Sequence, residues 1–217
     1  MKIEHKELPF YHIELKNVFT ESELKKIIQK IVSLKNNFKP PEDTGSAVDE
    51  RELLKKNKGI LLHECGCNII QNNIDNVLKD VNKKPSWKNL CFKRIFNKLE
   101  WGSDLVQCYE NSDYYKPHVD DGIFTLIIWI YDGKKSVDGG DLYFPEYDYL
   151  HPCENNNGII FFSKELHGVT TLNSDNNFSR YSITSFGITT FSSLPKEKSN
   201  EHRTLLKNKL NSNLTYN

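Results

Sequence analysis

The clearest hydrophobic pattern in the first hundred residues has the period of an α-helix. It begins at Leu24 and ends at Leu34, with three isoleucines between them at intervals that keep all five side chains on one helix face. Thr20 precedes this series and Glu23 follows Thr20 by three residues, which is the pattern of an N-terminal capping box. The sequence therefore predicts an amphipathic helix here, whose apolar stripe packs into a core.

Two weaker patterns of the same period cover residues 68–81 and 87–99. Residues 36–59, which precede them, are rich in proline, glycine and charged side chains and carry little apolar patterning. We therefore expect a helical N-terminal part over residues 1–102 that contains a long exposed loop at 36–59. A loop of this length is often a lid or a binding element, and a solvated surface loop is the alternative.

The pattern changes at about residue 103. Short apolar runs now alternate with segments rich in glycine, asparagine and aspartate, and we count roughly eight strands before residue 191. Many short strands joined by such turns are typical of a sandwich or barrel. We predict a mainly β, α+β fold, with a double-stranded β-helix (jelly-roll) core over residues 103–191 and the N-terminal helices packed on it. Residues 192–217 are polar and predict a peripheral tail, so that 1–217 form one domain.

Composition and charge narrow the possible partners. The chain has 29 basic and 29 acidic residues, and 37% of its residues are hydrophobic. A net charge of zero gives no indication of nucleic acid or an anionic membrane as a partner. The first residues lack an apolar signal segment, and no apolar run approaches the length of a transmembrane helix. We expect a cytoplasmic protein, and the sequence predicts no oligomeric state.

The five cysteines are odd in number and scattered, which is unlike a disulfide framework and fits a reducing compartment. His63, Cys65 and Cys67 lie close together in the segment HECGC, but no second pair completes the four ligands of a structural zinc site. Buried thiols are therefore the favoured interpretation of this segment.

One histidine and one carboxylate lie two residues apart in the segment YYKPHVDDG. On an extended strand His118 and Asp120 point to the same side, because side-chain direction repeats every second residue. His167 follows the apolar run GIIFF and could come from a strand that folds back beside them. Two imidazoles and one carboxylate occupy one face of a divalent iron and leave the other positions open. Taken alone, each residue has an ordinary structural alternative.

An arginine at the start of the last strand adds a fourth element. Arg180 begins the segment RYSITSFG, with Ser182 and Thr184 on the same strand face. A guanidinium is a planar fork suited to clasping a carboxylate in a partly buried pocket. A surface arginine at a strand edge is the alternative.

Together these motifs resemble the 2-oxoglutarate- and Fe(II)-dependent oxygenases, and within them the prolyl 4-hydroxylase-like branch that includes the oxygen-sensing enzymes. The similarity covers residues 103–190. The features that agree in order are CYENSDYYKPHVDDG, TLIIWIYD, SVDGGDLYFPE, GIIFFSKELHGVTTL and RYSITSFG.

The resemblance implies roles for individual residues. His118, Asp120 and His167 match the iron ligands, and Arg180 matches the residue that binds the C5 carboxylate of 2-oxoglutarate. The residues expected to line the co-substrate pocket with it are Tyr109, Ser182 and Thr184.

The chain departs from the family pattern at two places. In the oxygen-sensing enzymes a tyrosine on the strand after the first motif also reaches the C5 carboxylate. Here Trp129 and Tyr131 share one face of that strand, with Ile130 at the matching register. The interval from His167 to Arg180 is also longer than is usual, and we expect the segment NSDNN to absorb the excess as a turn.

The resemblance implies a dioxygenase that uses Fe(II), 2-oxoglutarate and O2, is supported by ascorbate, and releases succinate and carbon dioxide. A prolyl residue in a peptide or protein is the expected substrate. The alternatives are a free amino acid or other small molecule, and an inactive metal-binding jelly-roll module. A nucleobase demethylase of the same superfamily is disfavoured, because the resemblance would then imply a second arginine soon after Arg180, and the next arginine here is Arg203.

Overall fold

The structure is a computed structural model that describes residues 1–44, 48–49, 52–84, 87–131, 138–174 and 178–189. The predicted polar tail at 192–217 lies outside the described residues. The described part contains four α-helices: α1 (Glu21–Leu34), α2 (Leu62–Cys65), α3 (Asn68–Lys83) and α4 (Leu90–Phe96). It also contains three 3-10 helices: Lys35–Asn37, Pro41–Asp43 and Pro145–Tyr147.

The strands of the described part are β1 (Lys2–Lys6), β2 (His12–Lys16), β3 (Val48–Asp49), β4 (Glu52–Leu53), β5 (Lys58–Leu61), β6 (Glu100–Tyr109), β7 (Tyr115–His118), β8 (Phe124–Ile130), β9 (Leu142–Phe144), β10 (Tyr149–His151), β11 (Gly158–Phe162), β12 (His167–Val169) and β13 (Arg180–Ile188). A large sheet has the order β1-β2-β11-β8-β13-β6-β5, and a small sheet has the order β10-β9-β12-β7. Strands β3 and β4 pair with each other. The predicted jelly-roll core is confirmed, because two antiparallel sheets interleave strands from the same stretch of chain.

Strand β8 lies at the centre of the large sheet and is buried along its whole length. Its alternate residues belong to two separate apolar layers. Leu126, Ile128 and Ile130 pack in the cluster that includes the helices α1, α3 and α4. Ile127 and Trp129 pack on the opposite face, against residues of the small sheet. Because side chains alternate along a strand, β8 contributes to both apolar layers: one face packs against the helices and the opposite face packs against the small sheet.

The amphipathic helix predicted from the first hydrophobic series is α1. The backbone N–H of Glu23 donates to Thr20 Oγ1 at 3.3 Å, and the N–H of Thr20 donates to Glu23 Oε2 at 2.8 Å. This reciprocal capping box satisfies two backbone donors that the helix itself leaves without partners. Ile27 and Ile31 are fully buried, which confirms the predicted core-facing stripe.

The N-terminal part also supplies strands that the hydrophobic pattern did not predict. β2 pairs with β11, β1 pairs with β2, and β5 pairs with β6, so three strands of the large sheet come from residues before 102. Each has only four or five residues, which is too short to separate a period of two from one of 3.6.

The prediction of an exposed loop at 36–59 is wrong at its C-terminal end and at a few buried positions, whereas residues such as 36–37 and 42–43 are exposed as predicted. Residues 58–61 form β5 in the large sheet, and Lys39 and Gly59 exchange backbone hydrogen bonds of 2.7 and 2.9 Å. Lys55 is only 1% exposed. Backbone hydrogen bonds hold this segment in place. Because such bonds do not depend on the type of side chain, they produce no apolar pattern from which the segment could be predicted.

The cysteines of the segment HECGC are not part of a metal-ligand cluster within the part of the chain that the structure describes. Cys67 is buried and Cys65 is half-buried, as expected for structural thiols. None of the five cysteines forms a disulfide bond within the described residues. Among the described helices, none combines the length and the apolar character needed to cross a membrane.

Candidate active site

A cavity of about 300 Å³ lies between the large and the small sheets. Strands β6, β8 and β13 line it from the large sheet, and β7, β9 and β12 line it from the small one. Ile127 and Leu142 contribute apolar wall from opposite sheets. All seven residues that the sequence analysis assigned to the site lie in this lining: His118, Asp120, His167, Arg180, Tyr109, Ser182 and Thr184.

Three of these residues form a compact group of potential metal ligands. Nε2 of His118 lies 3.6 Å from Asp120 Oδ1, and Nε2 of His167 lies 3.4 Å from Asp120 Oδ2. One ligand atom from each residue falls within 4.8 Å of those of the other two. The three side chains therefore converge on one point at the rim of the cavity.

The register of the small sheet brings the distant histidine to the motif. His118 ends β7, His167 begins β12, and the two are direct partners across these antiparallel strands. Asp120 lies just beyond β7, where its backbone N–H donates to the carbonyl of Ser163 at 2.9 Å. The hydroxyl of Thr125 donates to Asp120 Oδ2 at 2.6 Å and fixes the orientation of the carboxylate.

Hydrogen bonds to the backbone orient both imidazoles. Nδ1 of His118 lies 2.9 Å from the carbonyl of Lys116, and Nδ1 of His167 lies 2.8 Å from that of Glu165. A carbonyl only accepts, so each Nδ1 carries the proton and each Nε2 presents its lone pair to the centre of the group. This is the tautomer that binds a metal through Nε2.

Burial and charge favour the ligating protonation states. Burial, reinforced by the neighbouring His167, lowers the pKa of His118 to about 4, so its imidazole is neutral at pH 7. Burial acts to raise the pKa of Asp120. The interactions of the carboxylate with His167, His118 and the Thr125 hydroxyl outweigh that effect and hold the pKa of Asp120 below its ordinary value. Two imidazoles and one carboxylate are the donor set of the facial triad that binds non-haem Fe(II), so these residues fit that metal.

Arg180 is a buried cation at the cavity wall. It is 2% exposed, its guanidinium lies 4.3 Å from the centroid of the Tyr109 ring, and Nη1 donates to the carbonyl of Gly140. Its Nε has no hydrogen-bond partner, and no carboxylate of the described residues lies within 4 Å. Burying a guanidinium without an anion is costly, so an anionic ligand group in the cavity would complete this site. The C5 carboxylate of 2-oxoglutarate has the required chemistry.

Gly140 permits the close approach of backbone to this arginine. Its φ of +69° lies in the left-handed region, and a Cβ there would stand 2.7 Å from Leu172 Cδ1 and 3.6 Å from Arg180 Nη1. A side chain at this position would displace the carbonyl that Arg180 uses. The glycine at position 140, within the segment SVDGGDLYFPE, therefore has a local structural reason.

The other predicted pocket residues surround Arg180. Tyr109 is its direct partner across β6 and β13, and burial raises the pKa of the Tyr109 hydroxyl above its usual range. Ser182 and Thr184 follow on the same face of β13. Their hydroxyls lie 3.4 and 3.5 Å from Oε1 of Gln107, which the sequence analysis did not single out. Gln107 could have been predicted as a pocket residue, because it lies two residues before Tyr109 on β6 and side chains two apart point to the same face.

The register of β8 settles which residue faces the cavity. Trp129 lines it, whereas Ile130 belongs to the apolar cluster on the helix side. Ile130 as the match to the family's tyrosine is therefore wrong, since alternation turns it away from the site. The predicted turn after His167 falls partly outside the described residues.

The sequence analysis also missed a second buried cation in the cavity. Lys55 lines it, and its Nζ donates to the carbonyl of Thr44 at 2.8 Å and lies 5.3 Å from the centroid of the Tyr115 ring. Burial lowers the pKa of Lys55 to about 8. The backbone of residues 54–56 is held against β7: Lys56 N–H donates to the carbonyl of Tyr114 at 3.0 Å, and Lys116 N–H to that of Leu54 at 2.8 Å.

Comparison with known proteins agrees with this geometry. The family model described as the 2OG-Fe(II) oxygenase superfamily matches residues 105–187. No curated protein matches the sequence.

Solved structures resemble the chain in fold at low sequence identity. The viral collagen prolyl hydroxylase of Paramecium Bursaria Chlorella virus-1 has a TM-score of 0.58 and 13% identity, covering 84% of this chain and 98% of that one. A Pseudomonas putida prolyl-4-hydroxylase gives 0.59 and 14%, covering 82% and 92%.

A prolyl hydroxylase from Trichoplax adhaerens, in complex with a hypoxia inducible factor oxygen degradation domain peptide fragment, gives a TM-score of 0.58 and 16% identity, covering 82% of this chain and 83% of that chain. In sequence over residues 105–187, and in fold over most of its length, the chain is therefore similar to the 2OG-Fe(II) oxygenase superfamily.

Proposed function

We propose that this protein is a 2-oxoglutarate- and Fe(II)-dependent dioxygenase that hydroxylates a C–H bond, with a prolyl residue of a peptide or protein as substrate. One observation carries the proposal. A complete group of two imidazoles and one carboxylate shares a cavity with a buried arginine whose Nε has no partner. An inactive metal-binding module would have no need to keep an unpaired buried guanidinium beside its metal ligands.

Each residue has a defined task in this proposal. His118, Asp120 and His167 would hold the iron on one face, and Arg180 would clasp the distal carboxylate of 2-oxoglutarate. Bound iron, 2-oxoglutarate and O2 supply the oxidation of the substrate C–H, with release of succinate and carbon dioxide. The apolar walls at Ile127, Trp129 and Leu142 would exclude water from the reacting groups. Ascorbate is expected to sustain turnover by keeping iron reduced.

The prolyl assignment rests on similarity of fold. The structures named above are prolyl hydroxylases, one of them with a bound peptide fragment. A free amino acid or another small molecule is the alternative substrate, and similarity of fold alone does not choose between them.

The buried ammonium group of Lys55 lies in the wall of the cavity, where the substrate would bind. The ammonium makes a single described hydrogen bond, to a backbone carbonyl, and no carboxylate of the described residues lies within 4 Å. It lies beside Tyr115, whose ring stacks on His118 at 3.6 Å between centroids. A cation at this position would bind a carbonyl or carboxylate of the substrate next to the iron site, as Arg180 would bind the co-substrate.

The cavity also supports a single oxygenase domain. Thr44 and Lys55 of the N-terminal part line it together with residues of the jelly-roll core. Separating the two parts would remove one wall of the site.

A peptide library containing proline in varied contexts tests the substrate assignment. The protein is incubated with Fe(II), ascorbate and 2-oxoglutarate, and products are sought by mass spectrometry as a mass increase of one oxygen on proline. The Asp120→Ala variant is the matched control, and modification should require the intact carboxylate. Oxygen added to a small molecule of a host extract, with every peptide unchanged, would replace the prolyl assignment by the small-molecule alternative.

A further inference from the structure

A second group of potential metal ligands lies outside the cavity. His12 and Glu14 of β2 and His151 of β10 place one ligand atom each within 4.8 Å of one another. β2 belongs to the large sheet and β10 is the edge strand of the small sheet, so the group bridges the two layers. It shares no residue with the lining of the cavity.

The side chains of this group are buried and oriented. His12 is 1% exposed and His151 is 6% exposed. Nδ1 of His12 lies 2.9 Å from the carbonyl of Phe10, so that nitrogen carries the proton and Nε2 presents its lone pair. This Nε2 is buried and has no hydrogen-bond partner. Nδ1 of His151 lies 3.0 Å from the hydroxyl of Tyr149, which can donate or accept in this contact and which holds the orientation of the ring.

The carboxylate divides its contacts between two sides. Lys6 and Lys16 approach Oε2 of Glu14 at 3.6 and 4.0 Å, whereas Oε1 lies 3.7 Å from the unpartnered Nε2 of His12. One carboxylate oxygen therefore faces the lysines near the surface, and the other faces the imidazole of His12.

An ion pair between His12 and Glu14 is the simplest alternative, but their atoms are not in hydrogen-bonding contact. Nε2 of His12 lies 3.7 Å from Oε1 of Glu14, and this nitrogen is buried without a hydrogen-bond partner among the described residues. A cation held between the imidazole nitrogen and the carboxylate oxygen would give both atoms a partner.

We propose that His12, Glu14 and His151 form a second site for a divalent transition metal such as Zn²⁺, with a water as the fourth ligand. Two imidazole nitrogens and one carboxylate oxygen are a donor set that zinc accepts, and the hydrogen bonds of both Nδ1 atoms fix the ring orientations. The ion would tie β2 to β10. His151 also packs against Trp129, with ring centroids 5.3 Å apart, so the ion would brace one wall of the cavity from behind. The site does not depend on the proposed oxygenase activity.

Zinc binding to the full-length chain tests this site. The protein carries His118→Ala and Asp120→Ala, which disable the first group, and is stripped with a chelator before dialysis against Zn²⁺. Elemental analysis should find one equivalent of zinc, and the melting temperature should rise with zinc. Adding Glu14→Gln, which preserves the size of the side chain, should weaken zinc binding at least tenfold; His12→Ala with His151→Ala should abolish it.

His63→Gln is the control, because His63 is exposed and belongs to neither group. It should leave the equivalent of zinc unchanged. Circular dichroism establishes that each variant is folded. A folded protein with the second group intact that binds no zinc overturns the proposal. It is equally overturned if folded Glu14→Gln and the double histidine variant keep zinc affinity, since the ion then lies elsewhere.

Discussion

The hydroxyl of Thr125 donates a hydrogen bond of 2.6 Å to Oδ2 of Asp120. That same oxygen is the one nearest His167, at 3.4 Å. Thr125 lies on β8 of the large sheet, whereas His167 begins β12 of the small sheet. The carboxylate is therefore held from one sheet and directed at a ligand of the other, so its orientation depends on the packing of the two layers.

Thr125→Val should lower the affinity for divalent metal at the triad, because it removes this bond and keeps the side-chain shape. Losing such a supporting hydrogen bond typically costs about tenfold to a hundredfold in metal affinity. Thr125→Ser keeps the hydroxyl and should restore most of it. Titration with Mn²⁺, followed by calorimetry, measures the difference. Equal affinities in all three proteins would mean that Asp120 is held by other contacts.

Arg180→Lys should weaken 2-oxoglutarate binding and spare metal binding. The substitution keeps the charge but removes the planar fork. Loss of a charge-assisted hydrogen bond corresponds to about 1.5–3 kcal/mol, or roughly tenfold to a hundredfold in affinity. Arg94→Lys, on the exposed surface of α4, is the control. An unchanged 2-oxoglutarate titration in Arg180→Lys would assign the C5 carboxylate to another residue.

Lys55→Met should separate substrate binding from co-substrate turnover. Methionine fills the space of the buried lysine without its charge, so succinate formation in the absence of substrate should persist while hydroxylation of the primary substrate falls. Lys56→Met is the matched control, because the Lys56 side chain is 54% exposed. Both rates are measured on the same preparations. A parallel loss of both in Lys55→Met would instead place Lys55 in the metal or 2-oxoglutarate site.

Asp104→Asn should stabilise the protein at neutral pH. Burial, aided by the nearby charge of Asp75, raises the pKa of Asp104 in the folded state, and Oδ1 has no hydrogen-bond partner. The folded state therefore binds the proton more tightly, and stability is lost as pH rises through the folded pKa. The free energy of unfolding of Asp104→Asn should exceed that of the wild type at pH 7. This gain should shrink as pH falls through the folded pKa of Asp104 and should be smallest below the unfolded value of 3.8. An equal gain in the free energy of unfolding at pH 7 and at a pH below 3.8 would exclude ionisation of Asp104 as its cause.

The convergence of His118, Asp120 and His167 could be predicted from the sequence because each has a signal in its own segment. His118 and Asp120 share a side by alternation, and His167 follows an apolar strand that must return to the same core. Arg180, Ser182 and Thr184 follow from the same rule on β13. Alternation also decides the place of Trp129, although the family pattern pointed to Ile130.

Lys55 and the N-terminal strands could not be predicted in this way. Residues 54–56 are held by backbone hydrogen bonds to β7, and such bonds involve atoms that every residue has. The burial of Lys55 therefore produces no hydrophobic periodicity in the sequence from which it could be predicted. The group of His12, Glu14 and His151 was missed for a related reason, since its strands belong to different sheets and nothing in the spacing of 12, 14 and 151 joins them.

The measurement that tests the central claim most directly is Fe(II)-dependent conversion of 2-oxoglutarate to succinate by the wild type and by Asp120→Ala. Both are assayed with iron, ascorbate and O2, and succinate is quantified by mass spectrometry. We predict succinate from the wild type, dependent on added iron and O2, and none above background from Asp120→Ala. Equal succinate from the two proteins, or a wild type that binds neither metal nor 2-oxoglutarate, would contradict the assignment of an oxygenase site to His118, Asp120, His167 and Arg180.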